Sequence, residues 1–430
     1  MGLENNQKID EYLSSLCSQI RNSKVHSDVR EEVRIHIEEI AQEYTEGGFT
    51  VDEAVNKAIA QMGDASLIGK ELNKVHKQRP EWSIVILTSI FAIIGLSTIF
   101  IMGSSGLLTQ YSMVTRSVTS TLIGVACAAL LYYFDYMKIK GYSIYIYFGT
   151  VAVAMYTIFF CPTVNGRAYL FIGIGIDFIA ISPFLFTTAL AGILENFNWR
   201  ETKNAIYGSF QLAFPALLMI LGRSLSAMVA YSLAVLVLLI ISGVRVRNIF
   251  ILVASCIAAF WMYILKEPFH IKRLLIFLYP EKDPTGSGYL NIQLNKLVHS
   301  AGLFGQGFAF NGRLLPNIHS DFIFTYIIYT FGWIAGILIA VLVILFLVRI
   351  SHIAIYVKSS YGKLLICGFV AIFSVQFLWN ILMNLNLAPI ATMGLPFISY
   401  GNSQFVVNMA VIGLISNIYK QRTTAVGNIV

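Results

Sequence analysis

The stretch IHSDFIFTYIIYTFG, residues 318–332, decides the fold. Its polar triplet His-Ser-Asp is followed by an apolar run that continues to about residue 348. A helix of about 20 apolar residues crosses the ~30 Å hydrocarbon core of a bilayer. The chain as a whole has 57% hydrophobic and only 12% charged residues, which is far more apolar than an ordinary soluble domain. The sequence therefore predicts an all-α polytopic membrane protein.

About ten apolar runs between residues 83 and 422 have the length of transmembrane helices. They lie near 83–103, 118–137, 143–161, 183–195, 206–222, 225–244, 248–265, 321–348, 364–386 and 403–419. With an even number of spans, the connections on the side of the termini carry more Lys and Arg than the short connections on the other side, as the positive-inside rule requires. We therefore expect a plasma-membrane protein with both termini in the cytoplasm and a long, cation-rich outer loop, 266–320.

The first eighty residues differ from the rest because fifteen of the 23 acidic residues lie before residue 83. Apolar residues at helical spacing over 28–44 predict one amphipathic helix, and Thr50 with Glu53 has the spacing of a capping box before a second. Residues 1–80 are thus predicted to be a small soluble helical domain for regulation or docking. The stretch 31–64 resembles a short domain fused to the cytoplasmic front of several Gram-positive membrane proteins, which favours a Gram-positive source.

Beyond that domain the acidic residues are few enough to be sorted by side. The predicted spans leave five of them outside: Asp177, Glu267, Glu281, Asp283 and Asp321. Asp321 alone adjoins a long apolar span, which makes it the candidate catalytic base. The alternative is that Asp321 only caps a helix that begins near Phe322, a contribution of ~1 kcal/mol.

Four motifs outside the front domain carry a family resemblance. They are HSDFIF (319–324), LPFISYGNS (395–403), FLYPEKDPTGSGY (277–289) and GLFGQGF (302–308). In these motifs the chain resembles the SEDS family of shape, elongation, division and sporulation proteins, the group of FtsW, RodA and SpoVE. The stretch 387–403 is too polar to face lipid and too apolar to lie in water, so we expect it to line a cavity.

The resemblance implies a ten-span enzyme that polymerises lipid II, the undecaprenyl-pyrophosphate-linked disaccharide, into peptidoglycan strands. It also implies a class B penicillin-binding transpeptidase as partner, together with divisome or elongasome proteins. Asp321 matches the catalytic aspartate of the family. The residues predicted to bind substrate are Arg167, Lys272, Arg273, Gln293, His319, Ser399 and Tyr400. A divalent cation, Mg²⁺ or Mn²⁺, is a further candidate for stabilising the pyrophosphate, with Asp321 as a candidate ligand.

The chain also departs from the family pattern. Tyr329 and Thr330 replace two glutamates, the stretch FIAISPF around Pro183 lacks the glutamate of a Gln-Pro-Ser-Glu box, and Asn402 replaces a glycine. Two alternatives to the polymerase therefore stay open: a lipid II flippase and a non-catalytic scaffold for a penicillin-binding protein. Nucleic-acid binding is not expected, because no dense basic run with interleaved aromatic residues occurs.

Overall fold

The computed structural model describes residues 6–21, 26–75, 81–105, 111–164, 166–195, 197, 199, 202–244, 275–308, 310 and 315–421. The described residues fall into two compact units, one within Met1–Pro80 together with Tyr419–Val430 and the other within Glu81–Ile418. The regulatory or docking role of residues 1–80 and the domain limits given above stay predictions.

The described residues of the front unit form four helices. They are α1 (Gln7–Ser18), α2 (His26–Glu46), α3 (Val51–Met62) and α4 (Ala65–Val75). Ile9 and Leu13 of α1, Ile37 of α2 and Ala58 of α3 are fully buried in one apolar core. The backbone N–H of Thr50 donates to the Glu53 carboxylate at 3.1 Å, as the capping-box spacing predicted.

The part of the second unit that the structure describes is mostly helical. Its helices are α5 (Trp82–Ser104), α6 (Tyr111–Tyr133), α7 (Tyr136–Gly141), α8 (Ser143–Phe160), α9 (Phe178–Leu194), α10 (Thr202–Leu221), α11 (Leu225–Ile241), α12 (Tyr289–Ser300), α13 (Ile323–Phe331), α14 (Trp333–Tyr356), α15 (Ser360–Asn384) and α16 (Asn402–Lys420), with a 3₁₀ turn at Pro280–Lys282. Two antiparallel hairpins lie between α8 and α9. They pair β1 (Thr163–Val164) with β2 (Arg167–Ala168) and β3 (Leu170–Ile172) with β4 (Ile174–Ile176).

Within the described residues, α5, α6, α8, α14 and α15 are long and apolar enough to cross a membrane. Helices α9 and α11, and the segment Tyr207–Leu221 within α10, are apolar but shorter. Every predicted span coincides with a described helix or pair of helices, except 248–265, which lies outside the described residues. The protein is an all-α polytopic membrane protein.

The prediction of one continuous span over 321–348 is wrong. Gly332 has φ +87° and ψ 175° and separates α13 from α14. This backbone conformation is accessible almost only to glycine, and it ends the hydrogen-bond pattern of α13. Asp321 therefore precedes a helix of nine residues rather than a full span.

Helix α9 begins earlier than the predicted residue 183. Asp177 caps it by accepting a hydrogen bond from the Ala180 N–H at 3.0 Å, and Pro183 lies inside the helix. The stretch after Cys161, which the sequence marked only as a turn, forms the two hairpins and delivers Arg167 and Asp177 to the same end of the unit.

An aromatic cluster supports the loop between α15 and α16. Its rings belong to Phe91 of α5, Phe346 of α14, Phe373 and Phe377 of α15, and Phe397 of the loop. Phe397 is buried and has φ +64°, so the loop reverses direction while its ring stays in the core. Gly95 of α5 permits this approach, because a Cβ there would lie 2.6 Å from the Ile398 carbonyl oxygen. The loop is therefore fixed in place below the candidate site.

Candidate functional site

Two asparagines of α15 fix the backbone of Asp321. The side-chain amides of Asn380 and Asn384 each donate to the Asp321 carbonyl at 3.0 Å, and both asparagines are fully buried. The Asn384 side-chain oxygen accepts from the Thr325 hydroxyl at 2.7 Å and from its N–H at 3.2 Å. These bonds orient the first turn of α13 against α15. The sequence analysis missed both asparagines, although two amides four residues apart in an apolar span are a signal for interhelical hydrogen bonding.

The motifs HSDFIF and LPFISYGNS meet directly ahead of α13. The Ser399 hydroxyl donates to the Ser320 carbonyl at 2.6 Å, and the Tyr400 N–H donates to the His319 carbonyl at 2.9 Å. The rings of His319 and Tyr400 contact edge to face with their centroids 5.4 Å apart. Burial lowers the pKa of His319, which favours its neutral form. The structure thus brings these predicted residues together; their binding of substrate stays a prediction.

The carboxyl group of Asp321 is held away from solvent. The residue is 8% exposed, and burial raises the pKa of Asp321 to about 6, with the Arg167 charge and a hydrogen bond from the Met393 N–H opposing the shift. The N-cap position of α13 belongs to Phe322, which has no side-chain cap bond. The capping alternative is therefore not what the structure shows. A carboxylate with a pKa near the working pH is suited to accept a proton.

Arg167 of β2 is the cation of the site. Its Nη1 lies 3.7 Å from Asp177 Oδ2 and 3.5 Å from the Thr392 carbonyl oxygen. The side chains of Arg167 and Asp177 are both largely buried. Burial raises the pKa of Asp177, and the Arg167 charge opposes that shift too. Arg167 thus interacts with two buried carboxyl groups, Asp177 and Asp321.

Asp177 is the functional candidate that sequence reasoning passed over. The sequence analysis counts it among the outer acids but does not select it, because the fourth predicted span begins only at residue 183. The signal available was its place directly before an apolar helix and shortly after Arg167. Burial raises the pKa of Tyr169, with the charges of Asp177 and Asp321 adding to the shift and that of Arg167 opposing it, which places this phenol in the same group.

The structure does not show contacts between Asp321 and the three other residues predicted to bind substrate, Lys272, Arg273 and Gln293. Lys272 and Arg273 lie outside the described residues. Gln293 is half-buried on α12, a helix that is joined to Asn386 by hydrogen bonds through Asn291. Within the described part of the chain, no hydrogen bond or ion pair joins Gln293 to the residues around Asp321. Its role as a substrate ligand stays a prediction.

The replaced family positions, Tyr329 and Thr330, lie at the end of α13 opposite Asp321. Their carbonyls accept hydrogen bonds from the N–H groups of Gln306 and Gly307, at 2.7 and 3.3 Å. Among the described residues, these backbone bonds join the end of α13 to the turn 302–308 and not to Asp321.

The donor set around Asp321 offers little to a resident metal ion. Among the described residues, no three His, Cys, Asp or Glu side chains lie close enough together to hold one. Mg²⁺ commonly takes one or two protein carboxylates and completes its shell with water and substrate phosphates. Asp321 and Asp177 fit that mode, and the charge of Arg167 acts on both carboxyl groups.

The fold and the site together define the class: a polytopic helical membrane protein with a buried, arginine-associated carboxyl group at the start of a short helix. Residues 80–424 match the family model FtsW/RodA/SpoVE, described as "Cell cycle protein". The chain belongs to this family, which confirms the resemblance seen in the motifs.

Its relatives carry related names. Stage V sporulation protein E of Bacillus subtilis is 28% identical over 364 residues, which cover 80% of this chain and 97% of that protein. The probable peptidoglycan glycosyltransferase FtsW of Borreliella burgdorferi is 30% identical over 61% of this chain and 74% of its own. The peptidoglycan glycosyltransferase MrdB of Escherichia coli is 30% identical over 51% of this chain and 61% of its own.

Two solved structures share the fold. A chain from a study of the structural coordination of polymerization and crosslinking by a peptidoglycan synthase complex superposes with a TM-score of 0.68 at 19% identity, over 80% of this chain and 98% of its own. The rod shape determining protein RodA of Thermus thermophilus superposes with a TM-score of 0.60 at 18% identity, over 81% and 99%. In both comparisons the shared fold covers nearly the whole of the solved chain.

Proposed function

We propose that this protein is a peptidoglycan glycosyltransferase that polymerises lipid II at the outer face of the membrane. The observation that carries the proposal is the buried Asp321 carboxyl, whose pKa is raised to about 6 and which interacts with Arg167. Family membership and the names of the relatives support it.

Glycosyl transfer requires a base and an anion-stabilising group. In the proposed reaction, the 4-hydroxyl oxygen of one sugar attacks the anomeric carbon of the other while its proton passes to Asp321. The bond from the anomeric carbon to the lipid pyrophosphate breaks, so the configuration inverts and the pyrophosphate leaves with the electron pair. The Arg167 guanidinium stabilises the charge that develops on it. A positioned base contributes about 10²–10⁴-fold to such a step.

The backbone bonds around Asp321 serve this chemistry. Because Asn380 and Asn384 hold the Asp321 carbonyl and Ser399 holds the Ser320 carbonyl, the carboxyl is presented from a fixed backbone. A fixed base loses little freedom on reaching the transition state. This fits a catalytic residue better than a flexible lipid-headgroup contact.

The proposal extends to partners and topology. A class B penicillin-binding transpeptidase is the proposed partner, because the fold matches a chain of a complex that couples polymerization with crosslinking. Both termini are placed in the cytoplasm, with Asp321 outside. The likeness of the front domain to Gram-positive proteins supports a Gram-positive source.

The test is a polymerisation assay with purified protein in lipid vesicles and lipid II, with and without Mg²⁺ or Mn²⁺. We expect glycan polymer from the unchanged protein and a loss of about 10²–10⁴-fold with Asp321→Ala. Glu281→Gln, at an exposed residue of the 3₁₀ turn, is the control, and we expect it to retain full activity.

Two outcomes would contradict the proposal. Transbilayer movement of lipid II that is insensitive to Asp321→Ala, with no polymer formed, would show a flippase. An Asp321→Ala strain that grows and divides like the parent would show a scaffold.

A further inference from the structure

The turn that follows α12 presents large apolar side chains outward. Phe304 is 81% exposed, Leu303 64% and Phe308 54%. Phe308 also contacts Phe331, the last residue of α13, with ring centroids 5.8 Å apart. A contiguous apolar patch of this kind marks a surface that meets another molecule or a membrane.

The backbone of this turn is fastened to the break between α13 and α14. The Trp333 N–H donates to the Gly302 carbonyl at 3.1 Å, and the Ile334 N–H donates to the Leu303 carbonyl at 3.4 Å. The Gln306 N–H donates to the Tyr329 carbonyl at 2.7 Å. The turn is therefore bonded to the last residues of α13 and to the first residues of α14.

Glycines make this approach possible and prevent the turn from sliding. A Cβ on Gly305 would lie 2.2 Å from the Thr330 carbonyl oxygen, and one on Gly332 would lie 2.0 Å from the Leu303 carbonyl oxygen. The two backbones thus lie in contact with no side chain between them. Leu303 and Phe304 cannot withdraw into the protein without breaking these bonds.

The depth of the turn relative to the bilayer follows from α14. This helix is a candidate span that begins at Trp333, and tryptophan is enriched at the membrane interface. Ile334 and Ile337 of α14 are 51% and 57% exposed, as side chains that face lipid are. Because Leu303 is hydrogen-bonded to Ile334, the second residue of that span, Leu303 lies at the boundary of the hydrocarbon core where α14 begins. In the proposed topology this is the outer boundary.

We propose that Leu303, Phe304 and Phe308 form an outer-leaflet anchor, a rigid apolar surface that inserts at the boundary between lipid headgroups and acyl chains. Its partner is the bilayer, since the backbone bonds fix it at the level where α14 enters lipid. Apolar side chains on an otherwise polar segment bind this boundary by burying their area among the acyl chains.

The anchor has a consequence for the site that does not depend on the reaction proposed there. Helix α13 has nine residues and is therefore about 14 Å long. One end carries Asp321 and the other is fastened to the anchor. The anchor thus fixes the depth of Asp321 relative to the membrane surface at which α14 begins.

The anchor can be tested by fluorescence quenching in vesicles that contain lipids brominated at defined acyl positions. Phe304→Trp and Phe308→Trp each add one indole, and the signal of the unsubstituted protein is subtracted. Asn295→Trp, on the exposed face of α12, is the matched water-facing control, and Ile337→Trp on α14 is the lipid-facing one.

We expect Trp at 304 to be quenched at least about twofold more than Trp at 295, and most strongly by bromines near the headgroup. Trp at 337 should be quenched most by deeper bromines. A Trp at 304 that resists brominated lipid but is quenched by iodide in the water phase would overturn the proposal and assign the surface to a protein partner. Neither result depends on lipid II, so this test is separate from that of the glycosyltransferase.

Discussion

The two ends of α13 are held in different ways. At its start, side chains do the holding: amides of Asn380 and Asn384 and the hydroxyl of Ser399 bond to the carbonyls of Asp321 and Ser320. At its end, backbone bonds to backbone across glycines. The start of α13 lies in the motif HSDFIF, and its end is hydrogen-bonded to the motif GLFGQGF. The difference teaches that a motif match alone does not mark chemistry: HSDFIF presents a carboxyl group, whereas GLFGQGF provides close packing.

The end of α13, where glycines allow two backbones to lie in contact, should be more sensitive to an added methyl group than its start. Gly332→Ala introduces a Cβ 2.0 Å from the Leu303 carbonyl at a residue with φ +87°, so we expect a loss of roughly 3 kcal/mol in stability. Gly302→Ala is the matched control, because Gly302 has φ +64° and no atom within 4 Å of the added Cβ; it should cost about 1 kcal/mol. Thermal unfolding in detergent measures both. Equal losses would show that conformation, and not contact, sets the requirement for glycine.

A substitution at the start of α13, where polar side chains hold the backbone, should lower both stability and activity. Asn384→Leu removes the donor to the Asp321 carbonyl and the acceptor for Thr325, leaving buried groups unpaired at a cost of about 2 kcal/mol. We expect a lower melting temperature and a lower polymerisation rate at saturating lipid II. Asn295→Leu, on an exposed position, is the control. A variant that melts earlier but polymerises at the full rate would show that the asparagine serves only the packing of α15.

The fold was largely predictable because hydropathy and length alone identify helices that cross a bilayer. The break at Gly332 was not, since the apolar run continues through Phe331 and Trp333 and the conformation of Gly332 is imposed by a loop far away in the chain. The site was half predictable. Asp321 and Arg167 carry charges that stand out, but the contact between Arg167 and Asp177 depends on hairpins too short to show a strand pattern.

The pH dependence of polymerisation tests whether the Asp321 carboxyl group at the start of α13 acts as the base. Burial raises the pKa of Asp321 to about 6, and a general base acts when deprotonated, so activity should be present above that pH and fall as the pH drops through it. Arg167 lowers this pKa; Arg167→Gln should therefore move the acid limb of the profile to higher pH. Arg116→Gln, an exposed arginine of α6, is the control. If the acid limb does not move in Arg167→Gln, the charge of Arg167 does not affect the group that accepts the proton.

The smallest effect is expected at Asp177, the N-cap residue of α9, which forms an ion pair with Arg167. In Asp177→Asn the amide oxygen can still accept the Ala180 N–H, so α9 keeps its cap while the ion pair with Arg167 is lost. A partly screened pair at 3.7 Å contributes up to about 1 kcal/mol, which is a fall in activity of no more than about fivefold. If Asp177 acts by holding Arg167, the double variant with Arg167→Gln should be no worse than Arg167→Gln alone. Additive losses would instead give Asp177 a function of its own, and the side-chain network at the polar end would then contain two independent carboxylates.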